Sequence, residues 1–180
     1  MSDRLGVVPH DQLDGSPPDV WEMGTRDVSA YASCSEVVRY LEWLGEESGT
    51  PEGSTSRQRL EAASAVIRAQ EHRLVDTMLN GTETLPGLAQ LDTVRVVGPV
   101  TSEHRSGMVS FEIDGYGAAE VVAALEADGV RTHARKRDAY SAGVLVPLGV
   151  EDCVRASVCH YNTVGEVERF LATVVRLAGA

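Results

Sequence analysis

Lysine is nearly missing from this chain: of sixteen basic residues fifteen are arginine, and Lys136 is the one exception. Cysteine is scarce too. Cys34, Cys153 and Cys159 are an odd number without metal-like spacing, which argues for reduced thiols over a disulfide frame. No apolar run approaches membrane-spanning length, and the start, Met1-Ser-Asp-Arg-Leu-Gly, lacks the apolar centre of a signal peptide. A membrane partner is not expected, and the cytoplasm is the default compartment. Positive charge is outnumbered as well, sixteen basic residues against twenty-seven acidic. A net charge of −11 argues against a nucleic-acid surface, because phosphate contacts need grouped positive charge.

What is present suits a globular protein: 180 residues, 43% hydrophobic and 24% charged, enough for one domain with a core or a small domain with an appendage. Residues 1–32 read as irregular, broken by Pro9, Gly15, Pro17 and Pro18. Ser33-Cys34-Ser35 offers N-caps for a helix through Val37, Val38, Leu41 and Leu44, with Gly45 as its stop. After a loop over 46–54, Leu60, Ala63, Ile67, Leu74 and Met78 share one face of a helix spanning about 56 to 80.

Strands are predicted at Thr93–Val97 and Met108–Ile113, the second alternating well, followed by a helix from Gly117 to Asp128. Val130–Ala134 and Val154–Val158 read as two more strands, and 163–178 as the last helix. From 94 onward the order is β-β-α-β-β-α: an α+β class, a mostly antiparallel sheet with helices on one face. The predicted division is a leading segment, 1–54, with one helix, and a small domain, 55–180.

The most informative run is Cys153-Val-Arg-Ala-Ser-Val-Cys-His-Tyr-Asn-Thr-Val-Gly-Glu-Val-Glu-Arg-Phe-Leu171. Arg155 sits on a strand just before a helix, where its planar fork matches a carboxylate bidentately. Thr163 and Glu166 have the spacing of a capping box, each side chain able to satisfy a backbone N–H at the helix start.

This run resembles the ending of class V aminotransferases and cysteine desulfurases, which use pyridoxal phosphate: an Arg-x-Ser strand, Tyr-Asn-Thr, then a helix with Glu near its start. Pro17-Pro-Asp-Val-Trp-Glu-Met-Gly-Thr25 resembles the family's Glu-x-Gly-Thr segment, and Arg105-Ser-Gly-Met-Val-Ser-Phe111 its small domain. The resemblance covers nearly the whole chain in the right order. It implies the C-terminal portion of a fold-type I enzyme, whose subunits pair so that each cofactor site is shared. Gly24 and Thr25 would then hold the cofactor phosphate, and Arg155 the α-carboxylate of an amino-acid substrate. Asn162 and Thr163 would shape the turn and cap the helix.

Two departures from the family matter. Its Schiff-base lysine lies upstream of the Glu-x-Gly-Thr segment, and no lysine precedes Glu22 here. Lys136 sits instead between Arg135 and Arg137. Alone, the chain is not expected to be a working transaminase or desulfurase; it calls for a homodimer or a separate lysine-bearing large domain. Secondly, the desulfurase thiol would fall near Asp138, and no cysteine lies between 130 and 152. Persulfide chemistry of the usual kind is therefore disfavoured.

Plainer readings stand beside these. Without the resemblance, Arg155 would read as a structural ion pair. Arg135-Lys136-Arg137 is more simply a solvated loop than an anion trap. Cys159 and His160, adjacent on a strand, would point to opposite faces and not converge on a metal. No strained Gly-x-Ser-x-Gly turn supports Ser157 or Ser141 as a nucleophile with His160. Trp21 and Trp43 read as packing residues. The competing class is a non-catalytic remnant or interaction protein that keeps the small-domain fold.

Overall fold

Asp27 opens the first helix, its carboxylate accepting the Ala30 N–H at 3.1 Å. The computed structural model describes residues 27–179, in two compact units that divide at Leu60. In the first unit, α1 spans Val28–Glu47, which differs from the sequence reading at both ends. Ser33 and Ser35 are not caps: their hydroxyls donate back to the carbonyls of Ser29 and Tyr31 inside the helix. Gly45 is not a stop either. A Cβ there would lie 2.1 Å from the Arg59 carbonyl oxygen, so glycine permits a close backbone approach while the helix runs on. Arg59 reaches Glu46 at 3.3 Å and Glu42 at 3.7 Å.

Helix α2 covers Ser56–Asn80, as the periodicity predicts. Thr55 and Gln58 cap its start reciprocally: the Gln58 side chain accepts the Thr55 N–H, and the Thr55 hydroxyl accepts the Gln58 N–H. Its last turns bury Leu74, Val75, Met78 and Leu79 in the second unit.

There four strands, β1 (Val94–Val97), β2 (Met108–Ile113), β3 (His133–Lys136) and β4 (Asp152–Ser157), form an antiparallel sheet in the order β1-β2-β4-β3. The chain's last strand thus inserts beside β2, near the centre. Alternation sends Val109, Phe111, Val154 and Ala156 to one face. That face is covered by the end of α2, by α3 (Ala118–Ala127) and by α5 (Val164–Ala178). Phe111 meets Phe170 edge-on, centroids 5.7 Å apart. Fully burying a side chain of this size contributes roughly 1.5–3 kcal/mol, so this face carries the fold. Thr173 on α5 donates to Asp128 at 2.7 Å, and Arg176 pairs with the same carboxylate, tying α5 to the end of α3.

Strand β3 begins three residues later than predicted. Gly129 adopts a positive φ of 77°, and the Val130 N–H returns to the Leu125 carbonyl, so Val130 closes α3 instead of opening a strand. Arg135 and Lys136 therefore belong to an edge strand, not to a loop. The short helix α4 (Ala142–Leu145) has no counterpart in the sequence reading; at four residues it has no legible period. Leu145 and Val150 pack with Cys153 in a small second cluster. No helix among the described residues is long and apolar enough to cross a membrane.

Candidate functional site: the polar sheet face around Arg155

The face of the sheet turned away from α3 and α5 carries the candidate site residue Arg155. Register sets Arg155 directly between Ser110 on β2 and His133 on β3. One step along, Cys153 stands opposite Arg135, and Met108 is paired with Ser157 toward the other end. Residues of a strand that are two apart share a face, so these side chains oppose the apolar set of Val154 and Ala156.

Arg155 is half-buried, and its Nε is shielded from water with no hydrogen-bond partner among the described residues. Three other arginines on or beside the sheet are engaged. Arg95 pairs with Glu112, and Arg137 with Glu151 at 2.7 Å and the Val150 carbonyl at 2.8 Å. Arg105 donates to the carbonyls of Val97 (2.8 Å), Pro99 and Met108, which fixes the turn between β1 and β2. Burial holds that guanidinium below its ordinary pKa. A guanidinium has five N–H donors and no acceptor. Leaving one buried and unpaired costs about 1–3 kcal/mol, a deficit that a planar carboxylate would relieve.

Ser110 and His133 were not singled out in the sequence, and no motif could have found them. They reach Arg155 only through strand pairing, 45 and 22 residues away along the chain.

Neither sulfur beside this site is an obvious nucleophile. Cys153 is buried, and burial, with the Glu112 and Asp152 carboxylates, pushes its thiol up. Cys159 lies beyond the end of β4, in the turn. There the Asn162 carbonyl oxygen of the side chain accepts the Cys159 N–H at 2.8 Å, while its backbone carbonyl accepts from Gln70 at 2.9 Å. The Thr163–Glu166 capping box is present: Glu166 accepts the Thr163 N–H at 2.7 Å, and Thr163 accepts the Glu166 N–H at 3.3 Å. Asn162 and Thr163 thus shape the turn and the helix start.

Asp138 caps the turn after β3, accepting the N–H groups of Tyr140 (3.0 Å) and Ser141 (2.9 Å). Those bonds, Ser141's first, hold its carboxyl below the usual range. Lys136 pairs with Asp152, whose carboxylate accepts the Ala118 N–H on the helix side of the sheet. Lys136 therefore faces away from Arg155. Gly24 and Thr25 lie outside the described residues.

A pyridoxal phosphate site needs an amine close to the substrate anion. The described residues do not fit that requirement by themselves, since the chain's sole lysine projects from the opposite face.

Comparison with known proteins gives a consistent picture. The family model for aminotransferase class-V matches residues 8–170. A "Probable cysteine desulfurase" of Mycolicibacterium paratuberculosis is 32% identical over 162 residues, 90% of this chain and 20% of that protein. "Probable cysteine desulfurase 2" of Mycobacterium leprae is 30% identical over 159 residues, 88% of this chain and 32% of the relative. The solved apo cysteine desulfurase from Thermococcus onnurineus NA1 superposes with a TM-score of 0.68 at 25% identity, over 91% of this chain and 34% of that one. The chain thus spans about a third or less of the length of these relatives.

Proposed function

Because the chain belongs to the class-V aminotransferase family, we propose that it is the C-terminal, small-domain portion of such an enzyme and supplies the carboxylate-binding half of its active site. The observation that carries this reading is the Arg155 Nε on the polar face of the sheet, buried with no hydrogen-bond partner among the described residues. Arg155 grips the α-carboxylate of an amino acid, and Gly24 with Thr25 holds the cofactor phosphate across a subunit boundary. Residues 1–54 lead from the large domain, and 55–180 form the small domain.

Pyridoxal phosphate, when bound, supplies the electron sink for reactions at the α- or β-carbon: transamination, β-elimination or epimerisation. Its lysine anchor comes from a large domain that these 180 residues do not contain. Desulfuration through a thiol in the usual place is disfavoured, because Asp138 caps a turn there. Three free thiols, Cys34, Cys153 and Cys159, suit the reducing cytoplasm.

The placement of Lys136 also favours a second reading, a non-catalytic protein that retains the fold. One experiment separates the two. The chain is mixed with a lysine-bearing class V large domain and pyridoxal phosphate, and amino-acid turnover and co-elution are measured. Turnover only in the mixture, abolished by Arg155→Ala, supports the half-site. Failure to associate favours the non-catalytic reading. Turnover by this chain alone, lost in Lys136→Ala, would overturn both.

A further inference from the structure

A second concavity lies on the other side of the sheet from Arg155. It has a volume of about 220 Å³ and opens between the Gly129–Thr132 segment, the end of β4 and the first turns of α5. Its inner wall is apolar, from Met78, Val158 and Phe170. Its polar lining is one-sided. Arg131 and Arg169 stand at the rim, exposed, and neither makes a hydrogen bond or ion pair among the described residues. Thr132, 8% exposed, lines the same space, and its hydroxyl is shielded from water without a partner.

Glu166 accepts from the Thr163 N–H and hydroxyl through Oε2, and the Asn162 side-chain oxygen accepts from Cys159. Two guanidinium groups and the Thr132 hydroxyl stand above an apolar floor, with Ser157 and the second Glu166 oxygen also at the wall. Two positive charges against the single carboxylate of Glu166 leave the rim net cationic.

We propose that this cavity binds a small organic carboxylate with an apolar body, such as an aromatic or branched aliphatic acid. Arg131 and Arg169 hold the carboxylate, Thr132 donates a further hydrogen bond, and the body rests on Val158 and Phe170. The site is separate from the Arg155 half-site and independent of its assignment.

The test is titration of the pure chain with phenylacetate and inorganic phosphate, followed by calorimetry and by ¹⁵N–¹H shifts. Phenylacetate is expected to bind saturably at one site, perturbing Thr132 and Phe170, at least about tenfold tighter than phosphate. Arg131→Gln with Arg169→Gln weakens it by about tenfold or more, whereas Arg155→Gln leaves it unchanged. Thr132→Val keeps the shape and removes an orphan hydroxyl, so it weakens binding while leaving the free protein as stable or more so. No saturable binding, equal binding of phosphate, or loss through Arg155→Gln would each overturn the proposal. So would a Thr132→Val variant that melts well below the parent.

Discussion

Lys136 and Arg155 project from opposite faces of one antiparallel strand pair. Lys136 is opposite Asp152 and Arg155 is opposite His133, an offset of three residues and hence an odd number of pleats. No side-chain rotation brings that amine beside an anion held by Arg155 in the same sheet. Lys136→Ala is accordingly expected to leave melting temperature, and any pyridoxal phosphate-dependent turnover in a complemented enzyme, unchanged. A tenfold loss of turnover would show that Lys136 works at the site.

Arg155→Ala should separate binding from folding. The side chain is only half-buried and unpaired, so thermal melting should shift little. Removing a charged hydrogen-bonding partner costs roughly 1.5–3 kcal/mol, which raises the amino-acid KM of the complemented enzyme by about 10- to 150-fold. An unchanged KM removes Arg155 from the site.

Gly45→Ala reverses an ordinary expectation. In an exposed helix interior that change stabilises by about 1 kcal/mol, but here the new methyl would meet the Arg59 carbonyl carbon and oxygen at 2.7 and 2.1 Å. Backbone must move, at a cost of about 1–3 kcal/mol. Amide exchange of α1 should accelerate in the variant; slower exchange would show that the contact relaxes freely.

Acid should weaken the second unit in a defined way. Thr173, followed by Arg176, holds the Asp128 carboxyl below its ordinary value, and the backbone and hydroxyl of Thr163 do the same for Glu166. Groups depressed on folding stabilise above their unfolded pKa, about 4 for carboxylates, and lose that contribution as pH falls through the lower folded value. The melting temperature should therefore be flat near neutrality and fall on the acid side. A Thr173→Val, Glu166→Gln double variant should lose part of that slope; an identical slope would remove both carboxylates from the acid transition.

Thiol labelling should rank the cysteines by exposure. Cys34 is exposed on α1 and should react with a maleimide first. Cys153 is buried with a raised pKa and should react only as the sheet opens. Fast labelling of Cys153 in the native protein would contradict the packing of Leu145 and Val150 over it.

Short-range features were legible in the chain because neighbouring residues decide them. The Thr163–Glu166 box, the span of α2 from Ser56 to Asn80 and the alternation of β2 all rest on contacts within one turn or one pleat. The order of strands and longer helices from residue 94 onward was legible as well, apart from the short α4. The beginning of α1 was missed because Asp27 is as good a cap as the serines after it. Gly45 misled because a glycine required by a neighbouring backbone looks like one that ends a helix.

By itself the sequence determined that a single lysine exists and that an arginine, Arg155, lies on the last strand. Only the tertiary structure decided where they face. Strand register is set by hydrogen bonds between segments far apart in the chain, and a shift of one residue exchanges the two faces of a strand. That pairing put Ser110 and His133 beside Arg155, turned Lys136 to the helices, and left the Arg155 Nε without a hydrogen-bond partner among the described residues.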